Sequence, residues 1–299
     1  TVEQNEKKEV FYPEIEAYIE KNIGNFDEIE DERKAELKKL SLYIQSKKTK
    51  NEKVELIFIC THNSRRSHLS QFWAMVAADY YSVNDIYTYS GGTEATAFNP
   101  RSVACLQRAG FKINKENEAE TENPVYEVSY KNNQNSVKGF SKKYNDESNP
   151  KENFVAVMTC SHADKNCPVV LGASFRVAIP YTDPKLADDS PEEEATYDER
   201  CKQIANEMFY IFSLIKTRKI ISTKSSDFKL PFLPKYSISS LFSKTAFCGR
   251  KSNCAPPRPL PFKIALTPLD GITTGTLLLR SVITIAFELN KLTSEIFPR

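Results

Sequence analysis

The sequence lacks a charge excess of either sign: 41 Lys and Arg stand against 39 Asp and Glu, a formal net charge of +2 over 299 residues. That excludes the strong positive field on which attraction to a polyphosphate backbone depends, so no nucleic-acid partner is expected. Histidine is scarce, with only His62, His68 and His162. Cys248 and Cys254 have no nearby His or second Cys pair, so the spacing of a zinc site is missing and neither a metal nor a cofactor is expected. No uninterrupted apolar run is long enough to span a bilayer. The best stretch, Gly271 to Leu289, is broken by Arg280 and rich in Thr, so no membrane partner is expected. The N-terminal residues are rich in Glu and Lys and lack the apolar centre of a secretory signal. The seven cysteines are odd in number and are not arranged as a disulfide scaffold. A reducing compartment, and hence a cytoplasmic location, is expected.

The chain is long enough for one sizeable core plus additions. Its charge is unevenly spread: residues 222–299 carry eleven Lys and Arg against four Asp and Glu. The same segment holds eight of the sixteen prolines, including Pro256-Pro257-Arg258-Pro259. We read 222–299 as an extended, poorly ordered tail. Residues 1–50 read as a helical extension. Pro13 sits at a favoured first-turn position, and Ala35, Leu37, Leu40, Leu42, Tyr43 and Ile44 form an apolar stripe.

Between these ends, residues 51–221 alternate strand and helix, which predicts an α/β fold: an open parallel sheet with helices on both faces. Expected strands are Val54 to Ile59, Asp85 to Ser90, Phe154 to Thr159 and Phe175 to Tyr181. Expected helices are His68 to Tyr81, a helix capped by Asn99-Pro100 and ending near Gly110, and a long one opened by the capping box Ser190-Pro-Glu-Glu193 and running to about Arg218. Residues 112–152 read as an insertion carrying a hairpin, Pro124–Tyr130 returning as Gly139–Tyr144. Cys60, Cys160 and Asp183 all fall just beyond strand C-terminal ends, the edge where open parallel sheets bind ligands.

The most informative stretch is Cys60-Thr61-His62-Asn63-Ser64-Arg65-Arg66-Ser67. A strand ends in Cys, a short loop follows, and Arg and Ser open a helix. Loop N–H groups and a helix N-terminus aimed at one point make an oxyanion cradle. Arg66 can fork two hydrogen bonds onto such an anion. A thiol beside a helix N-terminus and a cation is favoured as thiolate, and Cys60 is the candidate nucleophile, with Ser67 as a donor to its sulfur. Residues 61–66 form the candidate anion-binding loop.

This loop resembles the phosphate-binding loop of low-molecular-weight protein tyrosine phosphatases, and still more that of the thioredoxin-coupled arsenate reductases in the same superfamily. Val157-Met-Thr-Cys160-Ser-His-Ala-Asp-Lys-Asn-Cys167-Pro168 resembles the reductases' redox segment. Ile179-Pro-Tyr-Thr-Asp183-Pro184 resembles the general-acid loop of both groups, and Tyr89-Ser-Gly-Gly92 and Asn99-Pro-Arg101 resemble further family segments. The resemblance covers about Val54 to Arg218. It implies that Cys60 attacks arsenate, that Cys160 attacks the adduct and that Cys167 takes over the disulfide, with thioredoxin as reductant. Asp183 is implied as the acid. On a helix, Cys160 and Cys167 would be separated by about 10.5 Å of rise, so a disulfide would need the segment to unwind.

The chain also departs from the family. His62 stands where relatives carry Gly, so either a positive φ there would be strained or His62 helps to stabilise the thiolate. Arg65 stands where many phosphatases have a second Cys. Gln71 replaces a Glu of a potassium site, so no such ion is expected. Lys185-Leu186 replace the paired tyrosines that flank phosphotyrosine. Cys105, Cys201 and Trp73 read as packing residues. The first expectation is arsenate reduction. The alternatives are phosphomonoester hydrolysis through a Cys60-phosphoryl intermediate, as in a protein tyrosine phosphatase, and a non-catalytic anion-binding or interaction module.

Overall fold

The computed structural model describes residues 11–116, 122–132, 136–166 and 169–216. The expected tail 222–299 lies outside the described residues, as do Cys167, Cys248 and Cys254.

The strand β1 (Val54–Cys60) is a nearly continuous apolar run, the pattern of a strand buried on both faces. Leu56 and Phe58 join the larger core, while Ile57 and Ile59 join a smaller one. Around it, β2 (Ile86–Gly92), β6 (Phe154–Met158) and β7 (Ala173–Ala178) complete a four-stranded sheet in the order β2-β1-β6-β7, with every pair parallel. The expected α/β architecture is what the chain adopts. From β1 the chain builds one way to β2, and the later strands build the other way. The topological switch point therefore lies between β1 and β6, where a crevice opens at the strand C-terminal ends.

The helices are α1 (Pro13–Asn22), α2 (Asp31–Thr49), α3 (Arg66–Tyr80), α4 (Pro100–Arg108), α5 (Ser161–Asn166) and α6 (Glu193–Ser213). Helices α1 and α2 bury Ile15, Ile19, Leu37, Leu40 and Ile44 in the same core as Phe58, Phe72 and Trp73. Burying a side chain of this size stabilises the fold by about 1.5–3 kcal/mol. Trp73 stacks on Tyr18 with ring centroids 5.1 Å apart. The stripe expected on α2 is corrected at two residues: Ala35 and Leu42 are exposed, and Ser41 is buried with its hydroxyl donating to the Ile211 carbonyl at 2.9 Å.

Helix α4 is capped as expected, with the Asn99 side chain accepting from the Arg101 amide. Helix α6 begins later than its capping box predicts. The Ser190 hydroxyl accepts from the Glu192 amide and the Glu193 carboxylate from the Asp189 amide, so the reciprocal bonds close the turn before the helix. It ends at Ser213, short of Arg218.

The insertion forms a separate antiparallel sheet in the order β3 (Lys112–Lys115), β4 (Tyr126–Ser129) and β5 (Val137–Gly139). The expected hairpin partner, Gly139–Tyr144, is corrected to β5. Residues 142–144 instead run beside the end of β2, where the Gly92 amide donates to the Lys142 carbonyl at 2.8 Å and the Tyr144 amide to the Gly92 carbonyl at 2.9 Å.

Candidate active site

The register places Cys60 opposite Gly92 at the end of β1, and Ile59 opposite Met158. The Thr159 amide then donates to the Ile59 carbonyl at 2.7 Å, and the Tyr181 amide to the Thr159 carbonyl at 3.0 Å. Three strand exits are thereby tied together in one row, and Cys60, Cys160 and Asp183 follow from them.

The loop after Cys60 is held from outside by its carbonyls. The Thr93 and Glu94 amides donate to the carbonyls of Cys60 and Thr61, and the Asn99 amide donates to that of Ser64. The Ser141 hydroxyl donates to the His62 carbonyl at 2.9 Å. Among the described residues, the amides of His62, Asn63, Ser64 and Arg65 donate to no protein acceptor. Carbonyls engaged outward and amides left over are what a backbone anion cradle requires. Gly92 permits the close packing, since a Cβ there would meet the Thr61 carbonyl at 2.7 Å and the Asn63 amide at 2.8 Å.

The positive φ of the loop falls on Asn63, at 45°, and not on His62. Asparagine tolerates that region better than other side-chain-bearing residues. Its buried amide also clamps the loop: Oδ1 accepts from the Lys142 amide at 2.8 Å and Nδ2 donates to Ser67 Oγ at 2.9 Å. With its oxygen so occupied, the Ser67 hydroxyl is free to donate to Cys60 Sγ, 3.1 Å away. His62 is instead half-exposed, with Nε2 3.5 Å from Glu94.

Arg66 opens α3 and reaches the acid loop: Nη2 donates to Asp183 Oδ2 at 2.6 Å and Nη1 to the Tyr181 carbonyl at 3.0 Å. Its Nε is buried and has no partner among the described residues, so that N–H is open to a bound anion. Asp183 caps the turn of 3-10 helix Pro184–Ala187 through Oδ1, which accepts from the Lys185 amide. Burial holds the Tyr181 phenol well above its usual range, and the Arg33 guanidinium from α2 lies 4.9 Å over its ring.

Arg65 is the loop residue whose side chain goes elsewhere. Its Nε donates to the Tyr197 hydroxyl at 2.7 Å and its Nη2 to Asp188 at 3.1 Å, so its role in the cradle is confined to the backbone. The Tyr197 phenol is pushed up to about 12 by burial and by its bond to Asp188.

Cys160 is buried where β6 gives way to α5, and its sulfur accepts from the Ala163 amide at 3.3 Å. Thr61 Oγ1, in the cradle loop, lies 3.4 Å from that sulfur. Both sulfurs belong to the smaller core, with Met158, Ala163 and Val170. Sequence reasoning missed the structural role of Asn63, the clamp from residues 141–142, and His162, which shares the Thr61 hydroxyl. Asparagine at a tight turn was the available signal for the first. The other two have none, because their partners are far away along the chain. No group of three or more metal-binding side chains occurs among the described residues. Nor is any described helix long and apolar enough to cross a membrane.

No protein-family model matches the chain. It is similar to arsenate reductase 2 of Staphylococcus epidermidis, 28% identical over 120 residues that cover 40% of this chain and 70% of the relative. It is also similar to an arsenate reductase of Staphylococcus aureus strain Newman, 29% identical over 117 residues covering 39% and 67%. Among solved structures, an arsenate reductase in the phosphate-binding state aligns at 16% identity and a TM-score of 0.34, covering 55% of this chain and 99% of that one. A low-molecular-weight phosphotyrosine phosphatase of Vibrio cholerae aligns at 11% identity and a TM-score of 0.35, covering 54% and 95%.

Proposed function

Since the chain is a sequence relative of the arsenate reductases in the low-molecular-weight protein tyrosine phosphatase superfamily, we propose that it is an enzyme that reduces arsenate through a three-cysteine relay. The observation that carries this reading is the buried Cys160 sulfur resting on Thr61, inside the cradle loop of Cys60. A phosphatase needs one sulfur at the strand ends; a relay needs a second within reach.

The Cys60 thiolate attacks arsenate held by the 61–66 amides and by Arg66; the S–As bond forms, one As–O bond breaks, and the hydroxyl leaves as water with a proton from Asp183 in its protonated form. Ser67 donates to the Cys60 sulfur in its anionic form. Cys160 then attacks the Cys60 sulfur. The S–S bond forms, the S–As bond breaks, and its electron pair stays on arsenic, which departs as arsenite. Cys167 attacks Cys160 in turn, freeing the Cys60 thiolate. A dithiol reductant of the thioredoxin type reduces the Cys160–Cys167 disulfide by the same exchange chemistry. The catalytic unit in this reading is residues 51–221, with 1–50 as an extension that packs on it and 222–299 as a tail.

A second reading, phosphomonoester hydrolysis, is favoured by the contact of 2.6 Å that holds the Asp183 carboxyl group beside Arg66 at the edge of the cradle. Lys185 and the exposed Leu186, in place of aromatic walls, count against phosphotyrosine as its substrate.

A paired assay on the wild-type chain decides between them: arsenite production with thioredoxin, thioredoxin reductase and NADPH, and hydrolysis of para-nitrophenyl phosphate. Cys160→Ser and Cys167→Ser are expected to stop multi-turnover arsenate reduction and largely spare aryl phosphate cleavage. Full turnover by both variants would rule out the relay. Aryl phosphate cleavage with no arsenite from wild type would favour the phosphatase. An anion bound without either turnover would leave only a binding module.

A further inference from the structure

Thr61 Oγ1 has two neighbours that the mechanism above does not both use. It lies 3.4 Å from Cys160 Sγ and 3.2 Å from Nδ1 of His162. A threonine hydroxyl can accept one hydrogen bond while donating another. The three groups therefore form an unbroken chain from a buried sulfur to an exposed imidazole.

We propose that His162 is the proton acceptor for Cys160, working through the Thr61 hydroxyl. The Cys160 S–H donates to Thr61 Oγ1, and the Thr61 O–H donates to His162 Nδ1, with the His162 proton on Nε2. When the proton moves, His162 becomes imidazolium and donates from Nδ1 to Thr61, while Thr61 donates its own O–H to the thiolate. One proton leaves sulfur and one arrives on nitrogen, so the charge separates without any change of heavy-atom partners. The Ala163 amide, 3.3 Å from the sulfur, supports the resulting anion.

The location matters to chemistry. Cys160 is about 1% exposed, so bulk water cannot take its proton directly. His162 is two residues further along the chain and faces solvent, so it can hand the proton on. Other titratable groups on the surrounding elements are Cys60 at the end of β1, Tyr89 on β2, Tyr144 after β5, Asp164 on α5 and Arg176 on β7. Tyr89 and Tyr144 pack against the sulfur cluster. Asp164 is paired with Arg176 at 2.6 Å, and His62 in the loop stands beside Glu94. Of these, only His162 is bonded to the hydroxyl that touches Cys160. His162 is thus a positioning residue that acts through Thr61 and controls when the second sulfur becomes a nucleophile.

The importance of this relay to turnover rests on the arsenate-reductase reading, but the proton transfer itself does not. The test is therefore made on the reduced, full-length protein without substrate. Thiolate absorbance near 240 nm is followed against pH, and the Cys160 contribution is taken as the difference between each protein and the same protein carrying Cys160→Ser. In His162→Asn, which keeps a hydrogen-bonding side chain but cannot take up the proton, the Cys160 thiolate at neutral pH is expected to fall about tenfold below wild type. Thr61→Val is expected to give the same loss, and the double variant no further loss, because both break one chain. Coincident curves for wild type and His162→Asn would overturn the proposal. So would a loss in Thr61→Val alone, or fully additive losses in the double variant. Absence of arsenite production by wild type would bear on the proposed function and leave this result standing.

Discussion

Two pairs of buried cysteines in this molecule look alike by exposure and differ in where the fold places them. Cys60 and Cys160 sit at the C-terminal ends of β1 and β6, and Cys105 and Cys201 lie within helices α4 and α6. In the first pair each sulfur has a hydroxyl neighbour: Ser67 for Cys60 and Thr61 for Cys160. In the second pair the partners belong to the packed core. Cys105 donates to the Tyr197 carbonyl and Cys201 accepts from the Trp73 indole at 3.1 Å. The hydrogen bond to Cys201 and burial both push the Cys105 thiol well up, so it stays a donor. Burial alone therefore does not separate chemistry from packing. Under the proposed function, position on the sheet edge does.

The strongest attempt to break that contrast is Cys60→Ser, which is expected to lower both arsenate reduction and aryl phosphate cleavage by at least about a thousandfold in steady-state assays. Residual activity near wild type would remove Cys60 from its place as nucleophile. Cys201→Ala should show the reverse: a loss of about 1–3 kcal/mol in denaturant unfolding with turnover retained in the folded fraction. If a well-folded Cys201→Ala protein were inactive, the helix pair would belong to the chemistry after all.

A smaller effect comes from His68, next in sequence to Ser67. It is fully buried against Phe98, with ring centroids 3.9 Å apart, and Nε2 lies 3.2 Å from the Phe140 carbonyl. Burial, and then the nearby Lys142, lowers it to about 3, so it is neutral when folded. The unfolded chain binds the proton below its ordinary value of 6.5, and the folded chain does not until about 3. Stability contributed by the neutral ring is thus complete above 6.5 and lost as pH falls between those values. The slope is at most about 1.4 kcal/mol per pH unit. His68→Gln should flatten this limb in urea titrations from pH 6.5 to 4. An unchanged slope would show that other groups set it.

The sequence made the chemistry-bearing edge legible because it is written locally. An apolar run ending in Cys, a short polar loop and an Arg-Ser helix start occupy fourteen consecutive positions, Val54 to Ser67. The strand exits before Cys160 and Asp183 are equally local, and so is the Asn99-Pro100 cap. What escaped depends on partners that sequence spacing cannot reveal. Ser41 points inward because the Ile211 carbonyl, 170 residues away, awaits it. Arg65 turns out of its own loop toward Tyr197 and Asp188 on the far side of the chain. The left-handed residue is Asn63 rather than His62 because residue 142 supplies the amide that locks it. The boundary of α6 moved because Ser190 and Glu193 bond inside the preceding turn.

The contact between Arg66 and Asp183 has a consequence for selectivity. In the resting molecule the guanidinium is already matched by a carboxylate from its own chain, held on the loop that also caps Pro184. Any visitor to the cradle must outcompete that internal decoy. A weakly charged monoanion such as chloride or acetate gains little over the tethered rival. A tetrahedral dianion can pair with the arginine and the loop amides at once, and under the proposed function that exchange would free the Asp183 carboxyl from its ion pair. Under the proposed function, that ion pair would filter solutes before any sulfur reacts.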